Sequence, residues 1–218
     1  MKRAFDVVVA GLGLVVLAPL LAIVAALVAL TSRGPVLFRQ QRVGRHGKPF
    51  EMLKFRTMTN APEGNGPLVT VAGDRRITAA GRLLRATKLD ELPQLWNVVC
   101  GDMSLVGPRP EVSKYVALYP PSVAIKVLSV RPGITDEASI LFRNESELLA
   151  QAADPERAYV EQILPRKLAL YERYAERHSM RGDLGIIART LWCIVAGPGS
   201  AAASHQSADP GRAPANEE

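Results

Sequence analysis

From residue 4 to residue 30 the chain is apolar except for one charge, Asp6, near the edge of the run. As a helix, this run would reach roughly 40 Å, against a bilayer hydrocarbon core of about 30 Å. A cleaved signal peptide has an apolar region of only about 7–15 residues and a small-residue cleavage site after it. This run is longer and passes directly into basic sequence. Pro19 stands in its middle, where proline removes a helix hydrogen bond and bends the axis. The arms on either side, residues 4–18 and 19–30, reach only about 22 and 18 Å, so neither spans a bilayer alone. Lys2 and Arg3 precede the run and a cluster from Arg33 to Lys54 follows it. Positive residues prefer the cytoplasmic side, so both ends carry the same preference. A helix that enters, bends at Pro19 and returns satisfies both ends. A plain spanning anchor satisfies the length. The pattern leaves both open.

Beyond the apolar run the periodicity is that of a small mixed domain. Gly34-Pro35 marks a break, and residues 36–40 and 50–55 read as strands joined by a turn at 44–47. Residues 60–73 hold three glycines and two prolines and read as a loop. Residues 77–87 and 89–99 read as helices, with Leu83, Leu84, Leu92, Leu95, Trp96 and Val99 as the apolar side. Segments 101–110 and 131–133 read as irregular. Residues 155–177 form a long amphipathic pattern with a bend near Pro165, and 183–196 a second one. On that second helix Leu184, Ile187, Leu191 and Ile194 or Val195 share a side, with Trp192 near its edge. That face suits a membrane interface or packing beside the N-terminal helix, and equally an ordinary core. From Gly197 the composition turns to Ala, Ser, Pro and Gly without period, so 197–218 reads as a disordered tail. The expected fold is α+β, mainly helical. Its units are a membrane helix at 1–31, a catalytic domain at 32–196 and the tail.

The 218 residues are 48% hydrophobic, enough for one domain with a real core. Cys100 and Cys193 lie far apart without ligand-like neighbours, which excludes a disulfide framework and a cysteine-type zinc site. The formal charge is +6. Between residues 31 and 60 the positives are Arg33, Arg39, Arg42, Arg45, Lys48, Lys54 and Arg56, and Glu51 is the only negative, so this stretch alone equals the whole excess. A basic stretch directly after the apolar run points to an anionic membrane surface or a phosphorylated substrate. Nucleic acid is disfavoured, because the only stacking aromatics there are Phe38, Phe50 and Phe55.

No phosphate-cradling Walker loop, dinucleotide glycine fingerprint or His-Glu-x-x-His site occurs, and His46 reads as an exposed turn residue. Asp90-Glu91 stands out for its neighbours. Arg82, Arg85 and Lys88 precede the pair within two helical turns, and Arg109 follows between two prolines. The bland alternative is a helix first turn, where acids suit the dipole and Pro93 an early position. A carboxylate among guanidinium groups is expected to stay ionised. It then serves as a nucleophile or as a ligand for a hard cation, while the arginines grip phosphate.

Five runs carry a resemblance: Phe38-Arg-Gln-Gln-Arg-Val-Gly44, Lys54-Phe-Arg-Thr-Met58, Leu89-Asp-Glu-Leu-Pro-Gln-Leu-Trp-Asn97, Gly101-Asp-Met-Ser-Leu-Val-Gly-Pro-Arg-Pro110 and Arg131-Pro-Gly-Ile-Thr135. Over residues 1–196 the chain resembles the monotopic phosphoglycosyl transferases, the bacterial sugar transferases that start glycan assembly on a polyprenol carrier, in their minimal form. The resemblance implies transfer of a sugar 1-phosphate from a UDP-sugar to polyprenyl (undecaprenyl) phosphate, with release of UMP and a requirement for Mg2+. Asp90 would be the nucleophile that forms a covalent phosphosugar intermediate. Glu91 would be its partner, the two acids holding the metal. Arg85 and Arg109 would hold phosphate, with Lys54, Arg131 and Arg143 as weaker candidates. The N-terminal helix would be re-entrant and broken at Pro19, placing the catalytic domain on the cytoplasmic face of the bacterial inner membrane. The implied partners are the donor, the acceptor and membrane lipids, with a homodimer left open.

Two departures qualify the resemblance. Relatives often carry serine before the helix-breaking proline, where this chain has Ala18. After Thr135, where many continue with glycine, an aromatic residue and Ala-Gln, this chain has Asp136-Glu-Ala-Ser, and Arg143-Asn144 would fill a later arginine-asparagine position. The donor sugar is therefore not carried over. A reading from a different class is a basic membrane adaptor whose arginines bind anionic lipid. Such an adaptor has no use for the acidic pair.

Overall fold

The computed structural model describes residues 1–59 and 69–196, and part of the expected 60–73 loop and the whole expected tail lie outside them. The apolar run forms two helices, α1 (Lys2–Val16) and α2 (Ala18–Thr31), bent by 64° at Leu17 with Pro19 in the first turn of α2. Proline suits that position, since its missing N–H has no partner in a first turn. No single helix among the described residues is long and apolar enough to cross a membrane, though the bent pair together passes by length and composition. Val8, Leu12, Val15, Val16, Ile23 and Leu30 are exposed along it.

The expected hairpin is present and longer: β1 (Leu37–Val43) pairs antiparallel with β2 (Pro49–Phe55), Leu37 facing Phe55 and Val43 facing Pro49. His46 is exposed in the turn, as expected. Helix α3 (Ala79–Ala86) is capped by Thr78, whose hydroxyl accepts from Gly81 N. It crosses the end of β2 so closely that a Cβ on Gly81 would lie 2.0 Å from the Thr57 carbonyl oxygen. Only glycine permits that approach.

The single helix expected over 89–99 is broken. Leu89–Glu91 is a 3₁₀ turn, and α4 (Gln94–Cys100) begins after Pro93. Proline cannot donate to the carbonyl a turn back and its ring crowds it, so bonds from Leu92 to Leu89 and from Leu95 to Leu92 tighten the chain to three residues per turn. The change of period rotates the faces. Trp96, expected inside, is 54% exposed, whereas Gln94 and Asn97 are buried; Leu83, on α3 and also expected inside, is 57% exposed.

Segments 101–110 and 131–133 are not wholly irregular. They hold β3 (Ser104–Val106) and β4 (Gly133–Thr135), a parallel pair. Between them lie α5 (Ser113–Val116) and α6 (Pro121–Val127). After β4 come α7 (Glu137–Leu141), capped by Asp136, and α8 (Glu145–Ala150). The long amphipathic pattern is realised as α9 (Pro155–Ala158), a π-turn at Tyr159–Ile163 and α10 (Leu164–Arg177), with the irregularity just before Pro165. Helix α11 (Met180–Ala196) starts earlier than expected. Its Ile186 and Ile187 pack inward, while Leu184, Leu191, Trp192 and Val195 are exposed.

Three apolar clusters hold these elements together. One gathers Tyr115, Tyr119, Leu149, Tyr159, Leu168 and Tyr171 from the helical half. A second joins Ala10 of α1 to Met52, Val98, Met103 and Val106. A third packs Val24 and Val28 of α2 on Phe55 and Leu84. The membrane-type helices are thus rooted in the domain. The root also has a buried polar junction: Lys2 Nζ bonds Asp183 Oδ2 at 2.5 Å, and Ser104 Oγ donates to Asp6 Oδ2 at 2.7 Å. The Tyr174 hydroxyl lies 2.9 Å from Asp183 Oδ1 and 2.8 Å from the Val106 carbonyl oxygen.

Candidate active site

Four pieces of chain converge on one small volume. Strand β2 carries Lys54 and, just past its end, Thr57. Arg85, in the last turn of α3, donates from Nε to Thr57 Oγ1 at 2.9 Å. Lys88 then adopts a left-handed backbone (φ 59°), an uncommon conformation for a side chain of that size. That residue ends α3 and opens the 3₁₀ turn bearing Asp90 and Glu91. Arg109, in the loop after β3, reaches back to Glu91, with Nη2 2.5 Å from Oε1. Lys54 Nζ approaches the same oxygen at 3.0 Å.

The two acids of the dyad have opposite surroundings. Glu91 is buried between two cations, and the Arg109 and Lys54 charges hold its carboxyl well below the usual range against the pull of burial. Asp90 is pushed up: burial outweighs the nearby Lys54 charge, and Glu91 adds to the rise. The expectation that guanidinium groups would dominate at Asp90 is thus met only in part, because Arg85 and Lys88 act on it more weakly than its own desolvation. Asp90 Oδ1 is buried without a hydrogen-bond partner. Burial lowers Lys54 to about 8, partly offset by Glu91. Glu91 conversely raises Arg109, which stays charged.

Of the residues singled out in the sequence, Lys54, Arg85, Asp90, Glu91 and Arg109 meet here. Arg131 does not. Its Nε donates to the Gly101 carbonyl at the end of α4, and the charges acting on it are those of Arg3, Arg45 and Asp6. Arg143 is half-buried between α7 and α8. Pro19 is at the helix break. Sequence reasoning passed over Arg42, which pairs with buried Glu111 at 3.4 Å and lies in the field of Arg109. It also passed over Gln94, 1% exposed, whose Nε2 has no partner. Both stood inside the five runs that carry the resemblance. Their place in the site depends on the β1 edge and on the tightened turn at Pro93, neither of which periodicity reports.

The donor set bears on a metal ion. Among the described residues no group of three or more His, Cys, Asp or Glu could hold one. Magnesium, however, usually takes one or two carboxylates plus waters and substrate phosphates. The unpartnered oxygen of Asp90 fits that requirement. Glu91 is already bonded to Lys54 and Arg109, so its fit as a ligand is poorer than expected from the sequence.

Comparison with known proteins gives a consistent result. A family model described as bacterial sugar transferase matches residues 1–197. A UDP-glucose:undecaprenyl-phosphate glucose-1-phosphate transferase of Caulobacter vibrioides is 39% identical over 87% of this chain and 68% of its own length. A UDP-N-acetylgalactosamine-undecaprenyl-phosphate N-acetylgalactosaminephosphotransferase of Aeromonas hydrophila is 33% identical over 91% of this chain, which spans only 44% of that protein. An exopolysaccharide production protein of Rhizobium meliloti is 33% identical, with 91% of this chain and 87% of its own covered.

Proposed function

Since the chain belongs to the bacterial sugar transferase family, we propose that it moves a sugar 1-phosphate from a UDP-sugar to undecaprenyl phosphate through a covalent intermediate on Asp90. The observation that carries this reading is the buried, unpartnered Asp90 Oδ1 in a cluster of cations. An unpaired buried polar atom is costly and rare in a folded protein. A nucleophile has to keep a lone pair free, and the raised pKa makes this carboxylate a better one once ionised.

In the first step a carboxylate oxygen of Asp90 attacks the sugar-linked phosphorus. An Asp–O–P bond forms, the P–O bond to the nucleotide breaks, and UMP leaves with the electron pair. In the second, a phosphate oxygen of the polyprenyl carrier attacks the same phosphorus and displaces Asp90, which returns as a carboxylate. Arg109, fixed by Glu91, and Arg85, fixed by Thr57, offset charge on the transferring phosphoryl group. Lys54 keeps Glu91 ionised, and through it the position of Arg109. Asp90 would hold Mg2+ together with the donor phosphates; when bound, the ion supplies Lewis-acid stabilisation of the diphosphate. The two relatives whose names specify a sugar use different ones, so the proposed donor is a class, the UDP-sugars, rather than one compound.

Splitting the transfer lets a soluble donor and a lipid acceptor use the site in turn. The bent α1–α2 pair, with apolar residues exposed on both arms and basic residues at both ends, would seat the domain on the cytoplasmic face of the membrane. The exposed apolar row of α11 would lie at the same interface. The test is to incubate the purified protein with Mg2+ and a panel of UDP-sugars. Without acceptor, one UMP per enzyme and a mass adduct on Asp90 are expected. No adduct, and no UMP until polyprenyl phosphate is added, would mean direct transfer.

A further inference from the structure

Gln94 is one of the most deeply buried side chains in the protein, and its amide nitrogen has no hydrogen-bond partner. From Leu89 to Cys100 the chain winds right-handed without a gap, since Leu92 and Pro93 both keep helical backbone angles. Three-residue winding then places Gln94 one turn below Glu91, the residue that follows Asp90. Two unpartnered polar groups, Asp90 Oδ1 and Gln94 Nε2, thus lie about one turn apart along the same winding. Asn97, a turn further on, is fully engaged: its amide accepts from Leu53 N and donates to the Glu51 carbonyl. Buried amides in this helix therefore do find partners where the fold needs them. An apolar side chain of the same shape at 94 would fold more favourably, because it would leave no donor stranded.

Building on the proposed phosphoryl transfer, we infer that Gln94 is a catalytic residue whose amide N–H donates to a non-bridging oxygen of the phosphoryl group while that group is on Asp90. The arginines and Lys54 supply charge from one side. Gln94 supplies a neutral, directional donor from the first turn of α4, which directly continues the 3₁₀ turn of the nucleophile, so it moves with Asp90 rather than with the substrate. Because the contact strengthens as negative charge gathers on the oxygen, it acts on both half-reactions alike and chiefly on rate.

The experiment compares the full chain with Gln94→Met, which keeps the length and removes the donor. Melting temperature, the single-turnover rate of Asp90 adduct formation, the rate of adduct discharge by polyprenyl phosphate, and KM for the donor are measured. Expected is a melting temperature equal to or above the parent's. Both half-reaction rates should fall by about 100-fold, the typical effect of removing one oxyanion donor, with KM changed less than about threefold. A lower melting temperature would show that the amide has a structural partner and overturn the inference. So would unchanged rates, or a loss confined to KM. If the parent protein itself forms no adduct, the proposed transfer fails rather than the role of Gln94.

Discussion

Two buried clusters of charge, one at the root of the membrane-type helices and one at the dyad, are built from similar residues and solved differently. At the root, every buried polar side chain has a partner: Lys2 bonds Asp183, Ser104 donates to Asp6, and Tyr174 reaches Asp183. Asp6 and Asp183, each 2% exposed, outnumber the one lysine, and neutral hydroxyls complete the set. At the dyad the cations Lys54, Arg85, Lys88 and Arg109 act on Asp90 and Glu91, and two polar atoms remain unpaired. A satisfied cluster fixes geometry. An unsatisfied one with excess positive charge is prepared for an anion that arrives later. Buried charge by itself therefore says little about function, and partner bookkeeping says much more.

The sharpest way to break the contrast is Asp90→Asn. Turnover, read as UMP release, should fall by about four orders of magnitude, a loss of the kind seen when a catalytic acid is removed. Melting should not drop, since burial already pushes this carboxyl toward its neutral form. An active Asp90→Asn protein would shift the nucleophile to Glu91. Glu91→Gln is expected to cost both. It strands Lys54 and Arg109 without their counter-charge, and removing one member of a buried ion pair costs about 3–5 kcal/mol. Urea unfolding should show that loss.

At the root the same kind of change should separate the two quantities in the other direction. Asp183→Asn removes the charge facing Lys2, which is 28% exposed at its side chain and partly hydrated. About 2 kcal/mol of stability should go, while turnover per folded molecule in detergent stays within about twofold. A large fall in that turnover would mean the root and the site are coupled.

The smallest effect is in pH. Lys54, lowered to about 8, loses its charge as pH rises through that value, so kcat/KM should decline on an alkaline limb near pH 8. The unfolded chain keeps its lysine protonated up to about 10.5, and so binds more protons across that window. Lys54's own contribution to stability therefore grows from pH 8 upward while activity falls. Parallel melting and rate profiles that declined together would contradict this. Lys54→Arg should move the limb out of range, since arginine does not titrate there.

Much of this was legible in the chain. Pro19, the basic flanks and the 27-residue apolar run gave a bent pair because each acts locally and strongly. The hairpin followed from Gly44–Gly47, and four of the five residues that meet at the dyad lie in the runs that carry the resemblance, with Arg85 shortly before one of them. What failed was long-range or short-period. Three-residue strands such as β3 and β4 carry no readable alternation when both faces are buried. Trp96 was misplaced because a helical period was continued through Pro93, where the turn tightens. The resemblance offered Arg131 as a weaker phosphate candidate, yet its Nε is spent on the Gly101 carbonyl.

The junction between Lys2, Asp6, Ser104 and Asp183 also sets an order of events during synthesis. Helix α1, which holds Lys2 and Asp6, is made before the rest of this domain, but the carboxylate that bonds Lys2 is 181 positions downstream. At translation rates of about 5–20 residues per second, that partner follows roughly 10–40 s later. For that interval Lys2 lacks its final carboxylate, whereas Asp6 meets Ser104 after 98 positions. The apolar seat of the α1–α2 pair on residues up to Val106 can therefore form first, and the polar junction is completed only when α11 has been made.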